Sequence, residues 1–304
     1  MEKPVNEVMP GVRKKEKKRA KRRFSWLDIL LTLVFIAGVA LLLYPTASNM
    51  NNTAQASRTI DSYSRSADDL MAEERLAIIE AAEAYNSALP PGANFELDDE
   101  ALAVYESLLN PTGNGVMGYV QIPAINVNLP VFHGTDESVL RNSVGHLAGS
   151  SLPVGGEGSH CVLTGHRGLP SARLFTDLNK VVVGNTFSIT VLDKTLTYMV
   201  DQITVVLPEE IDDLAIEEGK DYCTLVTCTP YGVNTHRMLS RGVRVEDEDT
   251  APVSTEAVRI SNLPVLFGIG IPVLFILLVV VFISYSIKKP RKTNEEMLDE
   301  FKRS

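Results

Sequence analysis

Two apolar runs, each bordered on one side by a basic cluster, divide this chain into two short ends and one long middle. The first, Ile29 to Leu43 with Trp26 and Tyr44 at its borders, directly follows the lysines and arginines of residues 13 to 23. The second, Leu263 to Ile287, directly precedes a basic cluster at residues 288 to 292. The second run is long enough to cross a bilayer core of ~30 Å with some tilt, Pro272 notwithstanding. The first is shorter, so an anchor over residues 26 to 44 competes with a signal segment cut after Ala54-Gln55-Ala56. Basic residues that flank a span stay on the cytoplasmic side. The tails 1–25 and 288–304 are therefore expected inside the cell, and the middle outside at the cell membrane. Charge agrees: residues 45–262 hold 13 Lys and Arg against 30 Asp and Glu, while the whole chain has a net charge of −9. A basic cluster adjacent to an apolar span reads as a topology signal and a contact for anionic lipid, which excludes a nucleic-acid partner. Three cysteines are too few, and odd in number, for a disulfide scaffold.

Between the runs the pattern changes twice. Residues 57–110 form a helical region: Arg58 to Leu89 is rich in Ala and Glu and ends at Pro90-Pro91-Gly92, and Asp98 to Leu109 opens with acidic residues suited to a helix N-terminus. From Val116 the chain becomes β-rich, with runs at Met117 to Ile122, Val127 to Phe132, His160 to Thr164, Thr186 to Leu192, Thr195 to Leu207, Tyr222 to Cys228 and His236 to Val245. Short helices are predicted at Ser138 to Asn142 and Ala172 to Asn179. Many short strands with brief helices point to a mainly β domain over residues 115–245, a closed or nearly closed barrel. Residues 246–260 are polar and acidic and read as a linker to the second span.

The stretch Thr224 to Arg237 carries the chemistry. A β-branched run delivers Cys228 to the point where a strand must end, because Pro230 cannot donate to a ladder and Gly232 permits a reversal. The chain then returns with Arg237 at the start of the next strand, which sets a guanidinium beside the sulfur. A cysteine in such a run is more often a small core residue, and Cys223 is read that way. Cys223 lies an odd number of positions from Cys228, so the two point to opposite faces and do not pair. A thiol attacks as a thiolate, which a neighbouring His or Arg favours. Among five histidines, His133 and His166 both follow apolar strands and precede glycine. Residue chemistry leaves both open, with Gly165 and Gly168 around His166 leaving room for a peptide backbone.

The ordered motifs Thr164-Gly165-His166-Arg167-Gly168, Thr224-Leu225-Val226-Thr227-Cys228-Thr229-Pro230 and Asn234-Thr235-His236-Arg237 resemble sortases. Closer still, Val-Met-Gly-Tyr-Val-Gln-Ile-Pro, Val-Phe-His-Gly-Thr and Leu-Pro-Ser-Ala-Arg-Leu-Phe-Thr-Asp-Leu resemble the class C, pilin-assembling group. The resemblance covers residues 57 to 245. It implies a sortase-type β-barrel of about eight strands, with Cys228 as nucleophile, His166 as general acid/base, Arg237 as stabiliser of the oxyanion, and Thr227 helping to hold substrate. It also implies transpeptidation on an LPxTG-type sorting signal of a pilin or surface protein at a Gram-positive cell surface. The acceptor would be a lysine amine of the next pilin, or alternatively a peptidoglycan precursor. No metal or organic cofactor is called for by this chemistry, and the Cys and His spacings match no zinc pattern. The reading from another class is a membrane-anchored binding module in which Cys228 is inert core.

One part departs from the class C pattern. Such sortases carry a lid between the N-terminal helices and the barrel, with an Asp-Pro-aromatic motif in the active-site groove. Residues 85 to 110 hold the matching place without that motif. Phe95 and Asp98 are the possible substitutes, Phe95 filling an apolar pocket and Asp98 approaching Arg237, but no proline fixes the aromatic beside the carboxylate. A loosely held or missing lid is the expectation, since a short flexible loop must offset its own ordering entropy to stay docked.

Overall fold

A computed structural model describes residues 26–93 and 95–245. The predicted tail 1–25, linker 246–260, second span 263–287 and tail 288–304 lie outside the described residues. The chain divides into two compact units, one running from Leu41 to Pro264 and the other comprising residues 1–40 and 265–304. Of the latter, residues 26–40 are described: they are helical, and Leu31, Leu33 and Val34 expose their apolar side chains.

All strands among the described residues belong to the first unit. Eight of them close a barrel: β1 (Val116–Ile122), β2 (Val127–His133), β3 (Val144–His146), β4 (Ser159–Thr164), β5 (Thr186–Val191), β6 (Lys194–Val206), β7 (Asp221–Thr229) and β8 (His236–Val245). Their order around the barrel is β1-β2-β3-β4-β7-β8-β6-β5. Two pairings, β2 with β3 and β4 with β7, are parallel, and the others are antiparallel. Alternation along β7 explains its two faces: Cys223 and Leu225 join the main core, while Val226 packs in a separate cluster with Val162 of β4, Leu239 of β8 and Leu214. Inside the barrel the rings of Phe187 and Tyr198 stack at 5.6 Å. Gly242 lets them, since a Cβ there would stand 2.6 Å from the Phe187 ring.

The helices differ from the sequence reading in one respect that matters. The apolar run and the first helical segment form a single helix, α1 (Trp26–Asp69), with Pro45 inside it, whereas the sequence reading separates an anchor ending at residue 44 from a helical region starting at 57. It includes an apolar stretch long enough to cross a membrane. Beyond Pro45 one face of α1 is part of the catalytic unit. Asn52, Ala56, Ile60, Tyr63 and Ala67 recur at three- and four-residue spacing and are all buried. Tyr63 anchors that face, its hydroxyl donating to the Met117 carbonyl at 2.7 Å and accepting from the Leu192 amide at 2.9 Å. Burial pushes this phenol up to about 12.

Two more helices follow, α2 (Ala72–Ala88) and α3 (Asp99–Ser107), then the short α4 (Glu137–Leu140). Asn86 of α2 bonds both polar groups of Leu152, donating to its carbonyl at 3.0 Å and accepting from its amide at 2.7 Å. The helix predicted over Ala172 to Asn179 is absent. Leu174 adopts a left-handed φ of 37°, which no α-helix accommodates, and only a 3₁₀ turn at Leu178–Lys180 forms. His146, outside the predicted β-rich runs, lies on β3 and is fully buried.

Candidate active site

Cys228 sits at the end of β7, half-buried, directly opposite Arg237 on β8. Partners across an antiparallel pair share a face, with Cβ atoms about 4.5–5.5 Å apart. On the other side of β7 runs β4, in parallel register, with Thr164 beside Val226. That register continues one step past the strand: the Gly165 amide donates to the Val226 carbonyl at 3.0 Å, and the Thr227 hydroxyl donates to the Gly165 carbonyl at 2.7 Å. His166 is the next residue, two past the end of β4. Because β4 runs parallel to β7 and β8 antiparallel to it, the end of β4 that leads to His166, the end of β7 with Cys228 and the start of β8 with Arg237 lie at the same end of the barrel.

The loop after His166 is held by its own contacts. The Phe175 amide donates to the His166 carbonyl at 3.1 Å, and the Phe175 ring lies where a Cβ on Gly165 would stand, at 2.7 Å. Arg167 donates through Nε to the Thr176 carbonyl at 3.2 Å and through Nη1 to the Thr229 hydroxyl at 3.1 Å, its guanidinium 6.0 Å from the centre of the Tyr231 ring. These bonds join the loop after the histidine to the turn after the cysteine. The Nε2 atom of His166 lies 3.3 Å from the Glu137 carboxylate of α4. Sequence reasoning missed both Glu137 and Arg167. Nothing in a strand pattern signals a carboxylate 29 residues upstream, whereas Arg167 was visible as the neighbour of the histidine.

Arg237 and Arg241 share a face of β8 but differ in their partners. Arg241 is bidentate to Asp201, at 3.1 and 2.8 Å, and lies 4.3 Å above the Tyr222 ring. The hydrogen bond to Asp201 raises the pKa of this guanidinium further. Arg237 instead donates to backbone carbonyls of its own turn, Asn234 at 3.3 Å and His236 at 3.2 Å.

Three expectations need revision. Thr227 points inward and is almost fully buried, its hydroxyl committed to Gly165, so it shapes the site rather than touching substrate with its side chain. Asp98 does not reach toward Arg237. It is the N-cap of α3, its carboxylate accepting from the Ala101 amide at 2.8 Å. Phe95, by contrast, is docked: half-buried, it packs on the cluster of Val162, Leu214, Val226 and Leu239, of which Val226 stands two residues before Cys228 on β7. A bridge between Gly92 and Ile216 ties its segment to the one carrying Leu214. The segment is thus held on the barrel without the Asp-Pro-aromatic motif.

His133 lies elsewhere in the network. Its Nδ1 is 3.0 Å from the Gly115 carbonyl before β1 and its Nε2 is 2.7 Å from the Leu108 carbonyl at the end of α3, so the ring sits between the helix and the barrel, its one N–H in the neutral form donating to one of the two. Desolvation lowers its pKa, outweighing those hydrogen bonds.

Residues 120–245 match the sequence model of the Sortase domain. Among curated proteins, Sortase A of Streptococcus agalactiae is 32% identical over 143 residues, which cover 46% of this chain and 56% of that protein. The chain thus spans little more than half the length of that relative. Among solved structures, sortase C1 of Streptococcus agalactiae is 48% identical with a TM-score of 0.61, covering 62% of this chain and 99% of that one. Sortase C of Streptococcus pneumoniae, whose structure is described as informing catalysis and pilin substrate specificity, is 39% identical with a TM-score of 0.56, covering 64% of this chain and all of that one.

Proposed function

Since the chain belongs to the sortase family, we propose that it is a membrane-anchored cysteine transpeptidase that cleaves an LPxTG-type sorting signal and joins pilin subunits through isopeptide bonds. The observation that supports this reading is the pairing of Cys228 with Arg237 across β7 and β8, at the barrel end to which β4 leads His166. The Cys228 thiolate attacks the Thr carbonyl of the signal, and Arg237 supplies positive charge where the oxyanion develops. His166 protonates the departing glycine amine, and the acyl group remains on Cys228 as a thioester. A lysine amine of the next pilin then attacks the thioester and gives its proton to His166. The thiolate leaves, and an isopeptide bond has formed. Glu137 acts here as an orienter of the imidazole, a third group behind nucleophile and base.

Pilin is favoured over peptidoglycan precursor as acceptor because two sortase C structures, one of them described for its pilin substrate specificity, match this chain over 99% and 100% of their length at 48% and 39% identity. The test uses the full chain in detergent with an LPxTG-type peptide, reading the acyl adduct on Cys228 by mass spectrometry. Adding either a lysine-bearing pilin domain or a lipid-linked peptidoglycan precursor then identifies the acceptor. Transfer to the precursor alone would replace the pilin reading. A Cys228 that neither acylates nor reacts with iodoacetamide in the native protein would leave a binding module.

A further inference from the structure

The two cysteines other than Cys228 occupy one rung of the barrel. Cys161 of β4 and Cys223 of β7 are register partners, and both are buried, 3% and 0% exposed. Both side chains point into the main core. Neighbouring strands lie about 4.7–4.9 Å apart, within the Cα separation of about 4.4–6.8 Å that a disulfide requires. Both cysteines are free thiols in this structure. Burial works against a charged form at either sulfur. At Cys161 hydrogen bonding to Cys223 and the nearby His146 ring outweigh it and bring the thiol down to about 6, while Cys223 is pushed well above the usual range.

Position along the strands gives the pair its meaning. Cys161 stands five residues before His166, and Cys223 stands five residues before Cys228. The rung they form therefore lies on the same two strands as the base and the nucleophile, equally far from each, and on the opposite face. We propose that Cys161 and Cys223 form a disulfide that covalently fixes the β4–β7 register on which the approach of His166 to Cys228 depends. The oxidant is a disulfide of the exchange class, small or protein-borne, met while the pair is still accessible outside the cell, where such bonds persist. One cysteine thiolate attacks the external disulfide, releasing one thiolate and forming a mixed disulfide. The second cysteine then attacks that sulfur and releases the other thiolate. Two cysteine thiols are oxidised, one external disulfide is reduced to two thiols, and the two cysteine protons pass to them. Cys228 is left as the unpaired thiol, which the chemistry proposed above requires. The inference rests on that reading only for the location of the barrel.

The test counts thiols in the full chain, purified in detergent without reductant, denatured in acid and alkylated with N-ethylmaleimide. One label per chain, on Cys228, and a linked peptide pair containing Cys161 and Cys223 are expected. A second arm refolds the chain in a buffer of reduced and oxidised glutathione, which does not depend on cellular location or on activity. A linked pair from either arm supports the proposal. Three labels in both arms would overturn it, as would a link from Cys228 to either partner. The oxidised chain should also melt about 5–15 °C above the reduced one, because the bond closes a loop of some 60 residues. Equal melting temperatures would refute a stapling role. Cys161→Ala/Cys223→Ala, tested with its melting curve, should lose the difference between oxidised and reduced samples even if its stability falls.

Discussion

In the proposed mechanism Cys228, His166 and Arg237 make separable contributions, and substitution separates them. Cys228→Ala should abolish acylation while leaving the melting temperature close to that of the parent, because a half-buried thiol at a strand end contributes little packing. His166→Ala should lower kcat/KM by about 10²–10⁴ and Arg237→Ala by about 10²–10³. His133→Ala should damage stability more than catalysis, since it removes the ring that sits between the Gly115 and Leu108 carbonyls and the hydrogen bond its N–H makes there. A larger catalytic loss from His133→Ala in a normally folded protein would reassign the base. His133 and His160 also set a pH dependence. Desolvation lowers both below the ordinary histidine value of 6.5, so near and below that pH the folded chain binds fewer protons than the unfolded one. Their contribution is complete above pH 6.5 and is lost as pH falls through the folded values. Melting temperature should therefore drop between pH 7.5 and 5.5, and His160→Asn should flatten that slope. An unchanged slope would remove His160 from the account. Cys228 and Arg237 were legible as a pair because a local turn joins them. The tie between His133 and His166 was not broken by residue chemistry, since what distinguishes them is a parallel pairing of β4 with β7 that no local pattern encodes.

At the level of elements, the Phe95 segment and the buried face of α1 both pack on the barrel. Phe95→Ala should raise the rate at which iodoacetamide alkylates Cys228 in the native full chain by about tenfold, the factor expected if removing the ring costs the closed segment about 1.4 kcal/mol and opening precedes reaction. The other two cysteines are buried and do not compete in that measurement. An unchanged rate would mean that the segment does not guard the sulfur. Tyr63→Phe should cost about 1–3 kcal/mol, measured by denaturant titration, because it leaves the Met117 carbonyl and the Leu192 amide without their buried partner. Long strands rich in β-branched residues were readable from sequence. β3 was not, because three residues carry no period. The turn at residues 172–179 was misread for a different reason: Phe175 is drawn into the core beneath His166, and the backbone at Leu174 bends to allow it. Docking of Phe95 was also hidden, since its floor comes from β4, β7 and β8 together.

For the molecule as a whole, topology is the first thing to measure. External protease on intact protoplasts should digest the acidic middle and spare epitope tags at both ends, and a C-terminal tag lost to the protease would sink the two-span arrangement. Cleavage after Ala56 is disfavoured by the structure, since it would sever α1 within its buried stripe of Asn52, Ala56, Ile60 and Tyr63. A mature N-terminus at Gln55, Ala56 or Ser57 would show that the helix assembles without its first half. The closed strand order has a temporal consequence as well. The β4–β7 ladder joins residues that are distant in sequence, Thr164 and Val226 among them, whereas the β7–β8 hairpin is local. Loop-closure entropy delays the former relative to the latter. Nucleophile and arginine are therefore neighbours early, and the histidine joins them later. A chain still emerging from the membrane carries a thiol without its base, and catalysis begins only once assembly is complete. In refolding from denaturant, acylation should return with the slowest spectroscopic phase; activity that leads that phase would contradict this order.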